Sequence, residues 1–510
     1  IAESTSLGSV EVNQLTGNTQ FSDSDVTISG TNDTSLSISR VLNTATAAST
    51  PGNAALGTGN YRRTGVFGPG WTASLPVDSA DSDWVGLVDT GSVLSLQGPD
   101  QSTVSFTPGV GTFAGSWRPT GEDSDSELLL KLSQAGDGCT SGYRCFTLTD
   151  GDGVATVLQS LTASTTAGTL AAPVNLAVLK VVEPGVPGAM SFTASGGLVT
   201  RVTSPVPDGQ TCTDPAASST WTPACRGLAL TYGSTAGVNA GQLTAATYLT
   251  SVSGNPTKVD VACWAYDPQG RLIDSWDPRD VPTAATGGQP IACGATPLRA
   301  THYTYDTTGR VTAITPAWNG TSSPLAGSTI VYDGSGRLSR VERTHLTGNP
   351  AGTESESIAF QVPLTPDASN PSWRPDLSNT SAWGQTSSPD PAVGGTVTCP
   401  AGSAAATYNG DLRLCSISYL DVNGRVVNTA SYSGTGAAGW RISTTEYNNF
   451  GNVIRTLDAA NRELALNPTS PAGVLLALPT DPATAAGVLS TINIYAPNAS
   501  DGTLDLTDTF

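Results

Sequence analysis

One short phrase, Tyr-Asp-x-x-Gly-Arg-Leu/Val, recurs along this chain and constrains its fold more than any other feature. It reads YDPQGRL at 266–272, YDTTGRV at 305–311 and YDGSGRL at 332–338. Two looser copies follow, YLDVNGRV at 419–426 and YNNFGNV at 447–453. Asp at the first position and Gly at the fourth are preferences of a type I β-turn, and Pro268 fits its second position. A left-handed Gly after such a turn makes the bulge that suits a hairpin. Each phrase therefore reads as a hairpin tip with a strand on either side.

Register follows from the turn. Asp267 faces Arg271 across Gly270, and Tyr266 faces Leu272. The second copy pairs Asp306 with Arg310 across Gly309, and Tyr305 with Val311. The third pairs Asp333 with Arg337 across Gly336, and Tyr332 with Leu338. Tyr and Leu/Val occupy one face, Asp and Arg the other, and each such cross-strand pair contributes roughly 0.2–1 kcal/mol. The fourth copy departs, with one extra residue between Tyr419 and Asp421, ahead of Gly424 and Arg425. The fifth keeps Tyr447 and Gly451 but carries Asn448 for Asp and Asn452 for Arg.

A lone hairpin cannot bury its apolar face, so neighbouring hairpins must stack into one sheet. The five tyrosines are 39, 27, 87 and 28 residues apart, which disfavours a strict solenoid and equal propeller blades. The expectation is an all-β fold of antiparallel hairpin repeats forming a large sheet. Few windows lack Gly or Pro, so long helices are not expected. The chain divides into an N-terminal β segment, 1–180, and a repeat sheet, 181–510, with an insertion at about 343–410. That insertion is rich in Pro and Ser, and Trp373 and Trp383 imply that it packs onto something.

Net charge is −19, which repels nucleic acid and anionic membrane and excludes nucleic acid as a partner. No apolar run reaches the ~18 residues of a membrane span. The eight cysteines fall in order into local pairs: Cys139 with Cys145, Cys212 with Cys225, Cys263 with Cys293, and Cys399 with Cys415. None forms CxxC, and only His302 and His345 could join them as zinc ligands, so disulfides are the better reading. Eight cysteines allow 105 pairings; neighbour with neighbour is favoured because each closes a short loop. Disulfides imply an oxidising compartment. The chain lacks an initiator Met, reads as a mature or trimmed polypeptide, and is expected to continue past residue 510.

Catalytic vocabulary is thin. GxSxG, P-loop and HExxH motifs are absent, and both histidines read as structural or surface residues. The acidic clusters at 22–25, 122–127 and 150–153 lack EF-hand spacing and read as solvated turns, with calcium the weaker alternative. The expectation is no enzyme and no cofactor. Sequons stand at Asn32, Asn319, Asn379 and Asn498.

These phrases resemble the Rhs or YD-repeat family, which includes bacterial polymorphic-toxin shells, the B and C components of Tc toxins, and teneurins. "SLSISRVLN" followed by "VFGPGW" resembles the segment that opens such repeats, through Arg40, Asn43, Phe67, Gly68, Gly70 and Trp71. "VLSLQGPDQSTVSFTP" and "CFTLTDGDGVATVL" resemble its strand pairs. The resemblance covers roughly 35–460, with gaps. It implies a spiralling β-sheet that forms part of a hollow shell, secreted or on the cell surface, around a C-terminal toxin or effector. Partners would then be the chain's own cargo domain or further shell segments. The alternative is a teneurin-like surface module that binds a glycan or a protein. The family's self-cleaving core is not visible, and DPQG at 267–270 sits in an ordinary repeat.

Overall fold

The computed structural model describes residues 4–7, 10–29, 35–44, 66–74, 84, 86–98, 102–120, 127–133, 139–186, 188–195, 198–206, 212, 225–233, 241–252, 255–280, 293, 299–318, 327–344, 353–378, 391–403, 406–407, 410–434, 439–497 and 504–510. The chain forms two compact units, one of Gln20–Gly327 and one of Ile1–Thr19 with Ser328–Phe510. Both are antiparallel β structures. A hairpin of β1 (Ser4–Leu7) and β2 (Val10–Asn13) belongs to the second unit.

The first unit opens with three paired strands, β3 (Thr19–Ser29), β4 (Ser35–Asn43) and β5 (Trp71–Ser74). Strict alternation in β4 turns Leu36, Ile38, Arg40 and Leu42 inward. Next come β6 (Gly86–Asp89), β7 (Leu94–Gln97), β8 (Thr103–Pro108), β9 (Ser116–Pro119), β10 (Leu129–Leu132), β11 (Cys145–Thr149), β12 (Ala155–Ser160) and β13 (Val174–Val182). Each pairs with its successor, and β13 pairs back to β6, so these eight strands close a ring. An eight-stranded ring has an interior that side chains can fill. Leu87, Leu96, Phe106, Leu130, Phe146, Leu148, Leu158 and Leu176 are all at most 1% exposed.

The nine-residue length of β13 lets it serve two partners. Val174–Leu176 pair with β6, and Lys180 and Val181 pair with β14 (Met190–Ser195). Residue 180, the division expected from the sequence, lies in β13 inside the unit Gln20–Gly327, and the two compact units divide near residues 19 and 327 instead. From β14 the chain runs through β15 (Leu198–Thr203), β16 (Arg226–Tyr232), β17 (Leu243–Val252), β18 (Asn255–Tyr266), β19 (Leu272–Trp276), β20 (Ala300–Tyr305) and β21 (Val311–Trp318), each paired with the next.

The second unit continues in the same manner with β22 (Ser328–Tyr332), β23 (Leu338–Thr344), β24 (Thr353–Val362), β25 (Gly394–Cys399), β26 (Ser416–Leu420), β27 (Val426–Tyr432), β28 (Trp440–Tyr447), β29 (Val453–Leu457), β30 (Thr491–Pro497) and β31 (Leu504–Thr509). The stretch 343–410 expected as an insertion contains β24 and β25, which are themselves paired strands of the sheet. Leu377 is buried in the core around Val397, Ile417 and Tyr419, and Trp440 donates to the Ser372 carbonyl at 3.0 Å. Trp373 is half-buried there, and Trp383 lies outside the described residues.

One element departs from an all-β reading. Between β29 and β30 lie three short helices, α1 (Ala459–Leu466), α2 (Pro471–Leu475) and α3 (Pro482–Leu489). Asp458, Ser470 and Asp481 cap them, with Pro at the start of α2 and α3. Ala465 of α1 and Ala485 and Ala486 of α3 pack those two helices onto Leu457. Among the described residues no helix is long and apolar enough to cross a membrane.

Candidate functional site: repeat turns and the joint to the opening strands

All five phrases build one turn. In each, the fourth-position Gly N–H donates to the carbonyl of the first residue, at 2.9 Å for Gly270, 3.2 Å for Gly309, 3.0 Å for Gly336 and 3.1 Å for Gly424 and Gly451. Those glycines have φ between 77° and 91°, the left-handed region that glycine tolerates. Tyr266 pairs with Leu272, Tyr305 with Val311, Tyr332 with Leu338 and Tyr447 with Val453, each beside a register shift that marks the bulge. In the fourth copy the extra residue changes the partner. Leu420 takes the slot opposite Val426, and Tyr419 turns into the core opposite Asn428, fully buried against Gly395.

The carboxylates serve the turn before they serve the ion pair. Asp267 Oδ1 accepts from the Gln269 and Arg271 N–H groups at 2.9 and 2.8 Å, leaving Oδ2 for Arg271 Nε at 2.7 Å. Asp306, Asp333 and Asp421 repeat the pattern with Arg310, Arg337 and Arg425. Asn448 keeps the backbone half of it, accepting from Phe450 and Asn452 at 2.9 Å. This is why a short Asx side chain stands at the first position.

The arginine also reaches out of its own hairpin. Arg271 lies over the Tyr305 ring at 5.1 Å and donates to the Asp306 carbonyl at 3.2 Å, while the Tyr305 hydroxyl donates back to the Leu272 carbonyl at 2.6 Å. Arg425 repeats this on the next hairpin of its unit. It lies 5.0 Å over Tyr447 and donates to Asn448 O at 3.0 Å, and Tyr447 returns a bond to Val426 O at 3.1 Å. Where the next hairpin lacks the phrase, Arg337 stacks on Phe360 at 4.7 Å. The phrase therefore closes one hairpin and clamps it to the following one. The sequence reading treated Asp and Arg as a simple cross-strand pair and missed this second role.

A buried ionic joint fastens the opening strands to the first two repeat hairpins. Arg40 has a fully buried side chain. Asp23 sits directly opposite it on β3, and a bulge at Asp25 re-aims that carboxylate to the same guanidinium. Arg40 Nε and Nη2 meet Asp25 at 2.6 and 2.9 Å, and Nη2 meets Asp23 at 2.8 Å. Ser275 Oγ and the Tyr303 hydroxyl lie 2.9 and 2.8 Å from the same Nη2, sharing its two protons with the carboxylates. Trp264 Nε1 donates to Asp25 at 3.1 Å, and Trp71 and Tyr303 flank the guanidinium at 4.8 and 5.0 Å. Burial pushes the Asp25 carboxyl above its usual range although Arg40 pulls it down, and burial pushes the Tyr303 phenol well up. The acidic run at 22–25 is thus no solvated turn; it is part of a strand, and its alternation carries a carboxylate to Arg40.

The FGPGW turn completes the joint. Phe67 and Trp71 are buried, Gly68 and Gly70 have φ of 94° and 80°, and Phe67 meets Trp264 edge-on at 5.1 Å. The Tyr266 hydroxyl donates to Leu243 O at 2.5 Å, with Val66 O 3.1 Å away sharing that single proton, and Trp71 Nε1 donates to the Tyr305 hydroxyl at 3.1 Å.

The cysteines are joined as Cys139–Cys145, Cys212–Cys225, Cys263–Cys293 and Cys399–Cys415. Asp150 in the 150–153 cluster heads another bulged turn, accepting from Val154 N at 2.9 Å with Gly153 at φ 82°. His302 Nδ1 contacts Asp274 at 2.8 Å across β19 and β20. Among the described residues no group of three or more His, Cys, Asp or Glu is placed to hold a metal ion. His345, residues 122–126 and the four sequon asparagines lie outside the described residues.

No protein-family model matches the sequence, and no curated protein matches it. Solved structures do. The chain is similar to the crystal structure of TcdB2-TccC3-TEV at 11% identity and a TM-score of 0.24, over 72% of this chain and 18% of that one. It is similar to TcdB2-TccC3 without its hypervariable C-terminal region at 9% identity and a TM-score of 0.17, over 72% and 23%. The structure of TcdB2-TccC3-Cdc42 matches at 10% identity and a TM-score of 0.17, again over 72% and 23%. The chain spans less than a quarter of the length of those structures.

Proposed function

We propose that this chain is a stretch of wall from a secreted or cell-surface Rhs/YD-repeat shell. In the whole protein that wall encapsulates or presents a C-terminal toxin or effector. The observation that carries the reading is the clamp from Arg271 to Tyr305 and Asp306, repeated from Arg425 to Tyr447 and Asn448. A phrase that registers its own hairpin and grips the next builds extended sheet by repetition. The four disulfides suit an extracellular wall. The reading assigns no catalytic role, since the charged side chains of the turns and the joint are engaged in holding strands together.

The test is to purify the whole native polypeptide and record its intact mass under denaturing conditions, with any co-purifying fragment. A mass well above 51.8 kDa, or a small C-terminal piece that resists protease until the wall is unfolded, is the expected result. A mass matching these 510 residues with no companion would overturn the cargo reading and favour a surface module that binds a glycan or a protein.

A further inference from the structure

The joint holds more negative charge than positive. Asp23 and Asp25 share one guanidinium, so the cluster carries one excess negative charge when both carboxyls are ionised. The titratable groups facing the pair are Arg40 on β4, Tyr266 on β18, and Tyr303 and Tyr305 on β20. Trp264, which donates to Asp25, and Ser275, which accepts from Arg40, are neutral. Asp25 is 8% exposed, whereas Asp23 is 44% exposed and gives protons a route to the pair. Among the described residues, Trp264 on β18 and Tyr303 on β20 grip the pair from the repeat side, and Ser275 on β19 grips Arg40, so the charge balance of the cluster governs how firmly the opening strands are held.

We propose that the Asp23–Asp25 pair is a proton-operated latch: uptake of one proton fastens the opening strands onto the repeat hairpins, and its loss loosens them. With one proton bound, the cluster is neutral. One carboxylate still faces Arg40, and the protonated carboxyl remains able to accept a hydrogen bond and to donate one. Without the proton, the excess negative charge falls partly on Asp25, which is desolvated beside Trp264 and the buried guanidinium, and that costs free energy. Burial raises the Asp25 carboxyl above its unfolded value, so the folded state holds the proton more tightly. The stabilisation is then fully present below the ordinary carboxylate range and is lost as pH rises through the folded value.

Hydrogen exchange on the native chain tests this, with intrinsic rates corrected for pH. Peptides covering 35–44 and 66–74 should be better protected at pH 5 than at pH 8, by about tenfold for each pH unit by which the folded carboxyl value exceeds 5. Peptides covering 394–432 serve as the reference and should show no such difference. Asp25→Asn should protect the opening strands equally at both pH values. Asp23→Asn supplies the same test if the first variant fails to fold. Equal protection at pH 5 and pH 8 in the native chain would overturn the proposal. So would a pH difference that persists undiminished in both variants.

Discussion

The guanidinium of Arg271 lies 5.1 Å over the ring of Tyr305, a residue of the following hairpin. The same side chain holds Asp267 through Nε and reaches the Asp306 carbonyl through Nη1. Three directions of contact from one side chain need a planar fork that both stacks and donates, which Lys cannot supply. Arg therefore stands after the turn Gly because of the next hairpin as much as its own.

Tyr305 should depend on its hydroxyl. Its O–H donates to Leu272 O at 2.6 Å and accepts from Trp71 Nε1 at 3.1 Å, and Trp71 is buried. Tyr305→Phe leaves that indole N–H and the Leu272 carbonyl without these partners, at a cost of about 1–3 kcal/mol. Urea unfolding reads the loss as a lower midpoint at unchanged slope.

Arg40→Met should be among the most damaging single changes in the first unit. It leaves Asp23 and Asp25 facing each other without their cation, a loss of about 3–5 kcal/mol. Adding Asp23→Asn and Asp25→Asn to that variant should recover at least half of the loss, read by thermal unfolding. A loss below ~0.5 kcal/mol, the usual scale of a surface substitution, would remove Arg40 as the keystone.

Glycine requirements should differ by position. Gly270 has φ 77°, so Gly270→Ala should cost about 1–2 kcal/mol. Gly68→Ala should cost more, because its Cβ would sit 2.3 Å from the Gly270 carbonyl oxygen, at φ 94°. Gly334 meets nothing within 4 Å and lies outside the left-handed set, so Gly334→Ala should stay within ~0.5 kcal/mol or stabilise slightly. Equilibrium unfolding of the three variants gives the ranking.

The turn aspartates give an acid limit opposite in sign to the latch. Partial burial raises the Asp306 and Asp333 carboxyls, but hydrogen bonds from the turn N–H groups and from Arg310 and Arg337 outweigh it and hold them below the ordinary value. Their stabilisation is present above the unfolded carboxylate value and is lost as pH falls through the folded one. An acid titration followed by circular dichroism should show unfolding begin below about pH 4. Asp306→Asn, the residue type that position 448 already carries, should fold and shrink that step.

The legible parts of this fold were those written within five residues. Asp267, Gly270 and Arg271 contact each other within one turn, so spacing alone specified turn, bulge and register. The clamp from Arg271 to Tyr305 was hidden because it joins residues 34 apart through a carbonyl and a ring face, which leave no local pattern. Asp23 and Asp25 looked like a solvated acidic run because their partner lies across a strand pair and the bulge that aims Asp25 has no residue signature. Ring closure through β13 depends on one long strand shared by two neighbours. The helices at 459–489 were readable in principle from Asp458, Ser470-Pro471 and Asp481-Pro482, but their short, Ala-rich and nearly uncharged bodies show little periodicity.

A double-mutant cycle on Arg271 and Tyr305 tests the central claim, that one phrase both closes its hairpin and clamps the next. Stabilities of the native chain, Arg271→Ala, Tyr305→Leu and the double variant are measured by denaturant unfolding. The clamp predicts a favourable coupling of about 0.5–1.5 kcal/mol between residues of different hairpins. Losses that add to within ~0.3 kcal/mol would mean that each phrase serves its own hairpin alone, and would contradict the clamp.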